Sequence, residues 1–368
     1  MHKIDFNQQP FLVIWETTHA CDLACVHCRA KADPNPGPNE LTREEAFQMI
    51  REIKEMGTPI IVFSGGDPLK RKDLCELIEY AKFLGLRTGV IPAVTPALTK
   101  EVIIKLKAFG LDQIAFSLDA ANAKEHDAFR RVEGVFDRTL ESVRLANQQG
   151  LAVQINSLIN VHNTDQLDEL IDLVERLDIV FWEVFFLVPV GRGQEIPLLT
   201  AEKFDEVFQK IYDLSKRASF IIKVTEAPHY RRFYIEQEMI RKGENPEEVK
   251  HKEIDLPSYL TQSHGPRGSM GRAPKGVNSG KGFMFISHQG EAMPSGFLPI
   301  SAGNIRKNSL SDIYQNAPLF KALRDSSNLK GRCGLCHYQD ICGGSRSRAY
   351  ALSGDYLSED SCCSYQPV

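Results

Sequence analysis

The chain has 368 residues, 42% of them hydrophobic and 25% charged, with 44 lysines and arginines against 48 aspartates and glutamates and a net charge of −4. That length suits one large α/β domain with a smaller one, and the composition excludes disorder, fibres and the broad basic footprint of a nucleic-acid binder. The longest apolar run, 179–190, is interrupted by Glu183 and is too short to span a bilayer. Residues 1–10 show no charged-then-apolar export pattern, so the expectation is a cytoplasmic protein with no membrane span and no nucleic-acid partner.

From Phe11 onward, short β-branched or aromatic runs alternate with amphipathic stretches, the pattern of repeated βα units around a parallel sheet. Strands are predicted at 11–16, 59–63, 87–91, 113–118, 152–158 and 180–188. Thr42, with Glu45 three residues on, caps the first helix, and Gly57, Gly85, Gly110 and Gly150 close successive units. Six units fall short of an eight-stranded barrel, and periodicity alone allows either a partial barrel or an open doubly wound sheet. After Tyr230 a charged helix leads into Ser263–Gly282, where six glycines and four basic residues predict a mobile loop. Beyond it, 282–287 and 291–297 predict a hairpin turned at His288-Gln289-Gly290, then a helix near 310–323 and a cysteine-rich tail. The chain therefore divides into 1–225, a helix-and-loop linker 226–282, and 283–368.

Nine cysteines are an odd number for disulfides, and all but Cys75, expected to be a small buried hydrophobe on a helix, fall into two clusters. Cys21, Cys25 and Cys28 lie in one loop directly after the first strand. A closed zinc site would need His19 or His27 as a fourth ligand, whereas three thiolates on a cubic iron–sulfur cluster leave one iron open to a reactant. Cys333, Cys336 and Cys342, followed by Cys362 and Cys363, supply enough thiols for a zinc knuckle or a closed iron–sulfur site.

The front spacing, three and then two residues between cysteines, resembles the radical S-adenosylmethionine superfamily, with His27 at its aromatic position. The resemblance implies that Cys21, Cys25 and Cys28 hold a [4Fe-4S] cluster whose open iron chelates S-adenosylmethionine and cleaves it to a 5'-deoxyadenosyl radical. Ser64-Gly65-Gly66-Asp67-Pro68 is similar to the family's Gly-Gly-Glu-Pro segment for the methionine ammonium, with Asp in place of Glu. Ser117, Asp119, Gln154, Asn156, Val188 and Pro189, at predicted strand ends, would by the same resemblance help to hold ribose and adenine. The rear cysteines resemble the SPASM-type auxiliary domain. Relatives with two auxiliary clusters carry a cysteine where this chain has Ser295 and another near Arg346. The resemblance therefore implies one auxiliary [4Fe-4S] cluster on Cys333, Cys336, Cys342 and Cys363, with Cys362 competing for the last position. The fold implied is a partial (β/α)6 TIM-type barrel with a small C-terminal α+β SPASM/twitch-like domain.

Segments 187–193, 227–231, 285–290, 330–334 and 342–351 are most similar to the haem-related branch, which includes oxidative decarboxylation of iron-coproporphyrin to haem and a step of haem d1 synthesis. This implies a carboxylated tetrapyrrole as substrate and a low-potential donor such as flavodoxin or ferredoxin. Arg192, Arg231, Arg232 and the basic loop could meet its carboxylates, and His229 and His288 could orient or ligate its iron. Two rival expectations are a radical maturase acting on a ribosomally made peptide, disfavoured because the cysteine motif begins by residue 21, and a non-catalytic zinc or iron–sulfur module.

Overall fold

The structure is a computed structural model and describes residues 4–246, 270, 273 and 276–367. Seven parallel strands follow one another in space as in sequence: Leu12–Glu16 (β1), Ile60–Ser64 (β2), Arg87–Val90 (β3), Gln113–Ser117 (β4), Ala152–Ile159 (β5), Phe181–Phe186 (β6) and Ile221–Thr225 (β7). The last was not separated out in the sequence, so the expectation of six strands falls one short. Between them run helices Arg43–Glu55 (α1), Leu74–Phe83 (α2), Lys100–Ala108 (α3), Ala123–Arg130 (α4), Val135–Gln148 (α5), Leu167–Glu175 (α6) and Ala201–Ser215 (α7). Thr42 and Glu45 form the expected reciprocal cap on α1. β6 stops at Phe186, short of the expected 188, where the chain turns into Leu187-Val188-Pro189 and proline can donate nothing to a ladder.

The predicted hairpin does not stand apart. Phe283–Ile286 (β8) pairs in parallel with β1, and Glu291–Met293 (β9) and Gly303–Asn304 (β10) continue from it antiparallel. One ten-stranded sheet results, in the order β10-β9-β8-β1-β2-β3-β4-β5-β6-β7, open at both edges. The charged helix after Tyr230 is Tyr230–Arg241 (α8). The helix expected at 310–323 is two helices, Leu310–Asn316 (α9) and Pro318–Arg324 (α10). Pro318 lacks the N–H that a continuous helix needs, and Ala317 before it is extended. Gly331–Leu335 (α11) and Arg346–Ser353 (α12) complete the C-terminal part. Most of the basic loop expected at 263–282 lies outside the described residues.

Alternation along the strands sorts the sheet into two faces. Val13, Trp15, Ile61, Phe63, Val153, Ile155, Trp182, Val184 and Ile222 join the large core beneath the helices. The intervening residues, among them Glu16, Gln113, Gln154, Asn156, Glu183, Lys223 and Thr225, line the opposite, inner face.

Candidate active site

The loop after β1 is fixed by backbone packing that only glycine permits. Gly66 N–H donates to Thr18 O at 2.8 Å and Asp67 N–H to Ala20 O at 2.6 Å. A Cβ on Gly66 would overlap the carbonyl oxygen of Ala20, and one on Gly65, whose φ is +139°, would lie 2.6 Å from Thr18 O. Ser64-Gly65-Gly66-Asp67-Pro68 is thereby clamped to the residues leading into Cys21. Asp67 is fully buried. Its Oδ1 accepts from Leu69 and Ala93 backbone N–H groups, while Oδ2 has no donor among the described residues. Burial raises the Asp67 carboxyl to about 6. A buried acceptor without a donor is the feature expected of a site for a cationic ammonium.

Around the three sulfurs, Leu23 N–H points at Cys21 Sγ (3.4 Å) and the Arg130 guanidinium at Cys25 Sγ (3.6 Å). Such N–H···S contacts suit thiolates holding a cluster. Burial pushes the Cys21 thiol up to about 12, so loading a metal centre must displace a proton. Among the described residues no three His, Cys, Asp or Glu side chains are gathered tightly enough to hold a single ion. Zinc draws its sulfurs to about 2.3 Å from one point, whereas a cubic cluster holds them at its corners. His27 stacks on Phe129 with ring centroids 4.5 Å apart, and burial lowers its pKa to about 3, keeping it neutral. Val188 and Pro189 precede Gly191, where a Cβ would overlap the Cys28 and Arg29 carbonyls, so this segment packs on the cysteine loop.

Asp119 is a buried hub. It pairs with Arg130 and accepts from Leu158 N–H at 2.9 Å, while its own N–H donates to His126 Nδ1 at 3.1 Å. Sequence reading missed Arg130, although its place on the helix following Asp119 was a usable signal. Ser117 lies at the end of β4 beside Asn156 of β5. On the inner face Gln154 Nε2 donates to Asn156 Oδ1 (2.6 Å) and to Glu183 Oε2 (3.0 Å), and Gln113 donates to Gln154 (2.5 Å). Glu183, Lys223 and Thr225 were also missed. Charged residues in mid-strand were the signal available.

The rear cysteines Cys333, Cys336, Cys342 and Cys363 line one cavity together with His229, Arg232 and Asp360. Backbone N–H groups of Asp360, Tyr338 and Gly344 point at Cys333, Cys336 and Cys342 sulfurs at 3.3–3.5 Å, and Arg346 reaches Cys333 Sγ at 3.7 Å. Four converging sulfurs with N–H donors fit a closed iron–sulfur cluster. Cys362 is instead part of the main core, with Sγ towards Leu199 O at 3.9 Å. Cys75 is only half-buried, packed against that core. Beside the cavity, Ser345, Ser347 and Ser295 hydroxyls all donate to the Glu226 carboxylate, at 2.5, 2.9 and 3.3 Å. Burial raises the Glu226 pKa, and its φ of +59° shows a backbone held in place by these contacts. Ser295 and the two serines flanking Arg346 thus meet on one carboxylate.

Four of the expected substrate contacts are engaged elsewhere. Arg192 donates to the carbonyls of Cys25 (2.8 Å) and Ala32 (3.1 Å), bracing the cysteine loop. Arg231 donates to the carbonyls of Ile341 (2.9 Å) and Val277, joining α8 to the rear site. His229 is fully buried against Phe204 and Phe208 in the rear cavity, and burial lowers its pKa to about 3. Arg232 pairs with Glu236 at 2.5 Å and lies close to Asp205. His288 does lie at the strand ends. Its Nδ1 is 2.6 Å from Glu16 Oε2, and Arg29, stacked on Phe285, donates to the other Glu16 oxygen at 3.0 Å. Although burial opposes it, Arg29 and His288 together hold the Glu16 pKa down to about 2.

Comparison with known proteins agrees with this geometry. Residues 15–177 match the radical SAM superfamily and residues 278–337 match an iron–sulfur cluster-binding domain, SPASM. An AdoMet-dependent heme synthase of Methanosarcina barkeri is 37% identical over 99% of each chain. An Fe-coproporphyrin III synthase of the same organism is 29% identical over 98% of this chain and 90% of its own. The crystal structure of Streptococcus suis SuiB bound to S-adenosylmethionine has the same fold, with a TM-score of 0.72 at 17% identity, covering 97% of this chain and 78% of that one. No helix among the described residues is long and apolar enough to cross a membrane. With two thiol sites, a clamped Gly-Gly-Asp-Pro segment and a near full-length relative, the chain belongs to the radical SAM enzymes with a SPASM domain, which use S-adenosylmethionine and iron–sulfur clusters.

Proposed function

We propose that this enzyme oxidatively decarboxylates propionate side chains of an iron-coproporphyrin in haem biosynthesis, in the cytoplasm and with electrons from a flavodoxin- or ferredoxin-type donor. The observation that carries the reading is the 37% identity to a heme synthase over 99% of both chains, which spans both cysteine sites. In the net change each propionate that reacts loses one hydrogen atom, one electron and carbon dioxide and becomes a vinyl group, the other propionates being kept. When bound, S-adenosylmethionine and the clusters supply the radical that takes the hydrogen atom and the route for the remaining electron.

The chain's own residues bind, orient and exclude water. Cys21, Cys25 and Cys28 would hold the front cluster, and Asp67 Oδ2 would accept from the cofactor's ammonium. Ser117, Asn156 and the 188–189 turn would flank its nucleoside. Cys333, Cys336, Cys342 and Cys363 would hold the rear cluster, braced by Arg346. Glu16, Arg29 and His288 would face the substrate at the strand ends. Anaerobic reduced enzyme given iron-coproporphyrin III and S-adenosylmethionine should release 5'-deoxyadenosine and carbon dioxide in step with loss of substrate mass. Formation of 5'-deoxyadenosine with no change in the porphyrin would remove the substrate assignment.

A further inference from the structure

Lys223 and Glu183 form an ion pair on the inner face, and its two ends are unequally satisfied. Glu183 Oε1 accepts from Lys223 Nζ at 2.6 Å and from the Thr225 hydroxyl at 2.6 Å, while Oε2 accepts from Gln154 Nε2 at 3.0 Å. Its side chain is 13% exposed. Lys223 is 34% exposed, and among the described residues Glu183 is the only acceptor for its ammonium, which has three protons to donate. The carboxylate would thus keep two donors if the lysine turned away, whereas two of the lysine's three protons have no acceptor among the described residues.

Neighbouring residues fix the direction. Ile222 on one side of Lys223 and Trp182 and Val184 on either side of Glu183 are buried under the helices, so the pair itself faces inward. Lys223 lies directly across the β6–β7 ladder from Glu183. Thr225, two residues on, adjoins Glu226, the carboxylate beside the rear site that accepts from Ser345. The pair therefore stands on the inner wall at the side of the sheet nearest the rear cysteines.

We infer that Lys223 is a docking cation for a carboxylate of the substrate, held in place by Glu183 until that carboxylate arrives. The inference rests on the reading of the substrate as a carboxylated tetrapyrrole. An incoming propionate takes the two free ammonium protons, and Glu183 remains hydrogen-bonded to Thr225 and Gln154. No covalent change is involved. Because Glu183 competes with the ligand for the same ammonium, the two members of the pair act on binding with opposite signs.

Equilibrium binding of iron-coproporphyrin III to the cluster-loaded protein, followed by the porphyrin absorbance, reads this directly, with the tetramethyl ester as the uncharged control. Lys223→Met should weaken binding of the tetra-acid at least about tenfold, the loss of its charge-assisted hydrogen bonding to the carboxylate. Glu183→Gln can still accept from Gln154 with its one oxygen and donate to the Thr225 hydroxyl with its amide, and should tighten binding several-fold; neither change should move the ester. Lys223→Arg should restore most of the affinity. If both Lys223→Met and Glu183→Gln weaken acid and ester alike, the pair is only structural and the inference is overturned. If the unaltered protein binds neither porphyrin, the substrate reading itself has failed, a distinct result. Iron content and melting temperature of each variant identify any that has not folded, and for such a variant Lys223→Gln serves as the substitute.

Discussion

Arg348 and Asp360 are both fully buried and form a bidentate pair, Nε to Oδ1 at 2.9 Å and Nη2 to Oδ2 at 2.7 Å. Arg348 also donates to Glu226 O at 2.8 Å, while Asp360 accepts from Ser345 N–H and directs its own N–H at Cys333 Sγ. The pair thus joins the residue that follows β7 to the rear cysteine site. Arg348→Met strips the aspartate of its counter-charge without leaving much of a void. An uncompensated buried charge costs about 3–5 kcal/mol, a large part of the stability of an ordinary protein. Melting should fall by roughly 4–7 °C for a chain of this size. Rear-cluster loading should fall with it, from about eight irons per chain towards about four, because Asp360 helps to hold Cys333. Adding Asp360→Asn removes the stranded charge and should recover at least about 1 kcal/mol, though not the lost bond to Glu226. Anaerobic thermal melts with iron and sulfide analysis of the single and double variants provide the measurement. A single variant that melts within a degree of the parent, or a double variant no more stable than the single, would refute the reasoning.

Other outcomes follow from the same geometry. Cys363→Ala should cost one cluster's iron, while Cys362→Ala should retain all of it and lose only about 1–2 kcal/mol of packing, as metal analysis and melting will show. Gly66→Ala should abolish S-adenosylmethionine cleavage by pushing Ala20 and the cysteine loop aside, with rear-cluster signals retained in spectroscopy. Asp67 gives a pH signature: its folded pKa of about 6 exceeds the unfolded value of 3.8, so the native state binds the proton more tightly. Stability therefore falls as pH rises from about 4 to 6 and stays lower above that, by about 3 kcal/mol. Asp67→Asn should make the cluster-free protein more stable at pH 8 but not at pH 4, and a stability gain independent of pH would contradict the argument.

How far the sequence could be read depended on how local each cause was. The βα alternation, the Thr42 cap and the glycine stops are set by near neighbours, and they placed six strands and the first helix within a residue or two. The front cysteines could be recognised because one loop carries all three. Pairing of β8 with β1 joins residues about 270 apart, and nothing in either strand's pattern announces its partner. Arg192 and Arg231 misled because an arginine's role depends on which carbonyls lie within its reach. Lys223 and Glu183 were hidden for the opposite reason: two charged residues in separate strands gain their meaning only when the ladder sets them side by side.

That β8 lies along β1 has a mechanical corollary. The strand that launches the front cysteines is a central strand only because the C-terminal third supplies its neighbour. A chain cut before Phe283 would leave Leu12 and Ile14 along a bare, flat, apolar margin, the kind that recruits other chains and precipitates. The two iron-binding ends of the polypeptide are therefore not independent modules. One cannot be trimmed away to study the other without unzipping the seam between them.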